Sequence, residues 1–83
     1  MVIHGFTITL APAVGVALND YGSGAVSVVA VKGDAVCWCD IATGLYDAER
    51  KIRDAGFYLT APMPTDITAQ AGDYATVSAC LVG

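Results

Sequence analysis

Residues 25–41 read AVSVVAVKGDAVCWCDI. Val crowds both sides of this stretch, and Lys32-Gly33-Asp34 interrupts it. Branched and flat side chains favour an extended backbone because they pack well on a pleated surface. Gly33 can take the positive φ that a two- or three-residue hairpin loop requires. The stretch therefore predicts a hairpin, Ala25 to Val31 returning as Ala35 to Ile41. Its first half is apolar on both faces, which predicts a strand buried on both sides.

Upstream, Val2, His4, Phe6, Ile8 and Leu10 alternate with Ile3, Gly5, Thr7 and Thr9, the period of a strand with a Thr-rich outer face. Pro12 stops it. Val14, Val16 and Leu18 predict a second short strand, ended by the turn formers from Asn19 to Gly24. Downstream, Phe57–Ala61 and Asp66–Ala69 read as strands on either side of Pro62-Met63-Pro64, a connection that two prolines confine to an edge or loop. Gly72-Asp73 turns the chain into Tyr74–Val82, where Ala75, Val77, Ala79 and Leu81 alternate with Thr76, Ser78, Cys80 and Val82.

One segment has a different period. Leu45, Ala48, Ile52 and Ala55 fall three, four and three apart, one stripe of a helix. Asp47 suits the positive end of that helix and Gly56 its C-terminal turn. The spacing predicts a short helix over 46–55; a charged loop is the competing reading. Together these elements predict a single β-rich domain over 1–83, a compact antiparallel β-sandwich or barrel with one short α-helix.

The chain has 83 residues, of which 55% are hydrophobic and only 14% charged, for a net charge of −4. This excludes intrinsic disorder, and it disfavours binding to nucleic acid or anionic membranes. Mean hydropathy is +0.59, yet the longest apolar run, Ala11 to Leu18, is broken by Pro12 and Gly15 and is too short for a spanning helix. No Lys or Arg precedes Lys32, so no basic leader region is expected. Twelve charges are few for solvating so small a particle, which predicts burial against other copies.

No motif for catalysis emerges, and the chain reads as a non-enzyme without cofactor or metal. His4 is the only histidine, and nothing in the order of residues brings it to Cys37, Cys39 or Cys80. Cys37 and Cys39 lie too close along a strand to close a bridge readily, and their spacing is not that of a zinc site. The three cysteines are expected to be reduced. The aspartates Asp20, Asp34, Asp40, Asp66 and Asp73 mostly occupy or follow turns, where local backbone bonds explain them. Contact residues are sought instead in Glu49, Arg50 and Arg53, on the outward side of the helix stripe, and in the stiff, apolar loop Pro62-Met63-Pro64.

The run Val26 to Cys39, the Gly-Phe-Tyr-Leu stretch from Gly56, and Gly72 to Cys80 resemble small virion proteins of tailed bacteriophages. The resemblance covers residues 6–83 through strand order and small-residue texture. It implies a sandwich-like subunit that decorates a capsid or serves a head or tail, made in the bacterial cytoplasm and resident in the virion. Its partners would be copies of itself and other virion structural proteins. The alternative class is a small β-sandwich module binding a carbohydrate or surface ligand.

Overall fold

The hairpin forms β2 (Val26–Lys32) and β3 (Ala35–Ala42), with Gly33 and Asp34 alone between them. Gly33 has φ 62° while no described non-glycine residue has positive φ, the pattern of a type II′ turn. The structure, a computed structural model, describes residues 1–13, 24–64 and 74–82. Around the hairpin stand β1 (Val2–Pro12), α1 (Leu45–Asp54), β4 (Phe57–Leu59) and β5 (Ala75–Val82). The described strands make one antiparallel sheet in the order β3-β2-β1-β5-β4. The protein is thus mainly β with one helix. The strands expected at Val14–Leu18 and Asp66–Ala69, and the turn at Gly72-Asp73, lie outside the described residues.

Register decides what is buried. Ile8 pairs with Ala30 on one side and Val77 on the other; Leu10 pairs with Val28 and Ala75. Their side chains share one face, and Ile8, Leu10, Val28 and Ala30 are fully buried there. Helix α1 lies on that face through Ala48 and Ile52, both fully buried, with Leu45 and Ala55 half-buried beside them. Phe57 of β4 enters the same core, its ring 5.2 Å from Phe6 and 5.8 Å from Trp38. A buried Ile or Phe contributes about 1.5–3 kcal/mol by leaving water, so this one face anchors the helix.

The helix ends are built as their residues predict. Asp47 reaches back to accept the Thr43 backbone N–H at 3.0 Å and its hydroxyl at 3.3 Å, because Gly44 offers no capping side chain. Gly56, at φ 98°, returns its N–H to the Arg53 carbonyl at 3.0 Å and closes the last turn.

Three expectations are corrected. The phase of β1 is not continuous. Ile3 pairs with Leu81 but Phe6 with Ala79, so one extra residue bulges at His4-Gly5, where Gly5 has φ 92°. The bulge sets Ile3, rather than Val2 or His4, on the Phe6 side. In β2 only Val26, Val28 and Ala30 are buried; Ser27, Val29 and Val31 are half-buried, since the helix covers one face alone. Finally, β4 ends at Leu59 rather than Ala61, although Thr60 still donates to the Ser78 carbonyl at 2.9 Å. Pro62 has no N–H to prolong the ladder.

Candidate functional site

The charged side of α1 is largely neutralised within the helix. Arg50 lies 2.5 Å from Asp47 and 3.4 Å from Asp54, and Arg53 lies 3.0 Å from Glu49. Asp47 gathers the most partners. The Thr43 backbone N–H, followed by the Arg50 guanidinium, holds its carboxyl below the usual carboxylate range. Lys51 reaches the end of β3, donating to the Ile41 carbonyl at 2.7 Å. As expected, Arg50 and Arg53 point outward, while Glu49 is half-buried.

The fold brings the two groups of contact candidates together. An open groove of about 740 Å³ runs between α1 and the edge strand β4. Glu49 and Arg53 line it from the helix, Pro62 and Met63 from the loop, and Phe57, Leu59 and Val82 from the sheet. Arg50 lines a smaller neighbouring depression of about 280 Å³ with Tyr46 and Asp54, and Glu49 and Arg53 border both. Pro64 lines neither. The groove has apolar walls and a single internally paired charge couple at its rim. Phe57, Leu59, Met63 and Val82 supply apolar lining, and Glu49 and Arg53, 3.0 Å apart, are its charged groups among the described residues. Tyr58, 66% exposed, belongs to the same wall, and sequence reasoning missed it. Alternation was the available signal, since Tyr58 sits between the inward Phe57 and Leu59.

The thiols occupy different surroundings. Cys37 and Cys39 are exposed on β3, whereas Cys80 is buried in β5; all three are free. The β1 bulge places His4-Gly5 opposite Cys80 in the ladder, a proximity that the order of residues did not reveal. No hydrogen bond joins His4 to Cys80 among the described residues. A glycine inside an alternating strand is the signal that marks such a bulge. Among the described residues, no three His, Cys, Asp or Glu side chains gather as a metal site. None of their helices is long and apolar enough to cross a membrane.

Comparison with known protein families, with curated proteins and with solved structures finds no match.

Proposed function

We propose that this chain is a non-enzymatic structural subunit of a phage virion, a capsid decoration or head or tail accessory protein. It acts by associating with itself and with other virion proteins. The observation that carries the reading is the uncharged exposed surface. Tyr58 and Val82 at the groove, Val2 and Ile3 on β1 (Val2 paired with Val82) and Val36 on β3 remain exposed, although the core already holds Phe6, Ile8, Leu10 and Ile52. Apolar area that folding leaves open is the usual mark of a protein contact surface. Immunodetection in purified virions tests this: the chain should co-purify in fixed ratio to the major shell protein. A chain confined to the lysate supernatant counts against it.

A second reading has one specific observation behind it. Tyr46, 87% exposed, and Tyr58 flank the Glu49–Arg53 pair from two neighbouring depressions, an arrangement of aromatic faces and polar groups that a sugar ring could use. Trp38, the largest aromatic, packs instead against the core. That favours the assembly reading. Quenching of tyrosine fluorescence by an oligosaccharide panel, abolished in Tyr46→Ala, would reverse the order.

A further inference from the structure

We propose that β3 is a homodimer edge, along which a second copy of this chain pairs antiparallel and continues the sheet. The inference deepens the reading of the chain as a self-associating subunit and rests on it. Open edges carry rows of backbone donors and acceptors, and proteins blunt them with short strands, Pro or Lys. The edge strand β4 is blunted: it has three residues, followed by Pro62 and Pro64. Among the described strands the other edge is β3, which has eight residues, without Lys or Pro, and Asp40 as its one charge. Val36 is 64% exposed, and Cys37 and Cys39 are exposed beside it.

The outward backbone groups can be assigned. Residues alternate along an antiparallel strand between those that bond one neighbour and those that face the other. The two-residue turn makes Lys32 and Ala35 the closing pair, so Val36 faces outward. At the far end, the Ile41 N–H goes to its neighbour Asp40 Oδ1 at 2.7 Å and its carbonyl receives Lys51. Ile41 therefore faces outward, and so does Cys39 two residues before it. Between them, the register jumps from Val31↔Val36 to Ala30↔Trp38, which makes Cys37 the bulged residue. Ile41 is capped locally. Among the described residues, no side chain caps the backbone of Val36 or Cys39.

This pattern is self-complementary. A two-fold axis between Cys37 and Trp38 sets Val36 of one copy against Cys39 of the other, and the reverse. It sets Asp40 against Ala35, so no like charges meet. The occupant that fits is thus the same strand.

The test uses the full chain in reducing buffer. Light scattering should give a dimer, and V36K/C39K, which places Lys opposite Lys, should weaken dimerisation at least about tenfold. Arg50→Glu with Arg53→Glu, on the helix, should leave the dimer intact. A short bis-maleimide should link two wild-type copies through Cys37 and Cys39 while sparing buried Cys80. A monomeric wild type overturns the proposal. So does a dimer insensitive to V36K/C39K, one broken by the helix variant, or one that the bis-maleimide does not link. A monomer that still enters virions removes this inference and keeps the proposed function; a dimer absent from virions does the opposite.

Discussion

The two edges of the sheet are opposites. At β4 a three-residue strand has its inward Phe57 clamped between Phe6 and Trp38, and a proline-bearing segment follows at once. At β3 a strand more than twice as long carries exposed Val36, Cys37 and Cys39. The short edge turns its one buried aromatic into the core; the long edge lends the core Trp38 and Ala42 but leaves most of its other residues exposed. Strand length is therefore a poor guide to where stability resides. What counts is whether a side chain enters the face that α1 covers.

The sharpest break of this contrast is truncation at each edge. Phe57→Ala should cost about 3–5 kcal/mol in urea denaturation, as for large aromatics removed from a core. At concentrations dilute enough to keep the chain monomeric, Val36→Ala should change stability by no more than about 0.5 kcal/mol. Comparable losses at both positions would erase the distinction.

Next in size is the joint that feeds β4. At φ 98°, Gly56 cannot accept a side chain without strain, and an added Cβ would stand 3.4 Å from Leu81 Cδ1. Gly56→Ala should lower stability by about 1–2 kcal/mol, read as a lower Tm. A neutral result would show that the joint relaxes freely.

The helix surface between the edges should matter less to folding. Arg50→Glu with Arg53→Glu should stay within about 1 kcal/mol of wild type in urea denaturation, because exposed pairs contribute little. The same double variant should be impaired in virion incorporation, measured by its ratio to the shell protein. Normal incorporation would exclude the groove rim as a contact and leave β3 as the surface to pursue.

The smallest effect concerns Asp47, which ties α1 to the end of β3. Its carboxyl titrates below the ordinary Asp value of 3.8 in the folded protein. Its contribution is therefore present above the unfolded value and is lost as pH falls through the folded one. Thermal melts should show a shallower loss of Tm below about pH 4 in Asp47→Asn than in wild type. Identical acid profiles would remove Asp47 from the account.

Much of the local architecture was legible. The Gly33 turn, the Leu45-Ala48-Ile52-Ala55 stripe, the Gly56 stop and the inward set Val77-Ala79-Leu81 follow from torsional preference and spacing. The candidate surface was legible in pieces: Glu49 and Arg53 were identified, as were Pro62 and Met63, without the groove that joins them. Tyr58 and the long open edge at β3 were missed. Both bulges were missed as well, at His4-Gly5 and at Cys37, although Gly5 left a trace of the first.

The physical reason lies in the range of the forces. Turn torsions and side-chain periodicity are properties of a few neighbouring residues, so the order of amino acids by itself determined the hairpin, the helix and their inward faces. Strand order, register and edge status depend on which distant segments share a ladder. A single extra residue in one strand changes the phase of every side chain before it. Only the tertiary structure decided that β3 and β4 are edges, that the helix and the proline loop form one groove, and that Val36 and Cys39 turn their backbone outward.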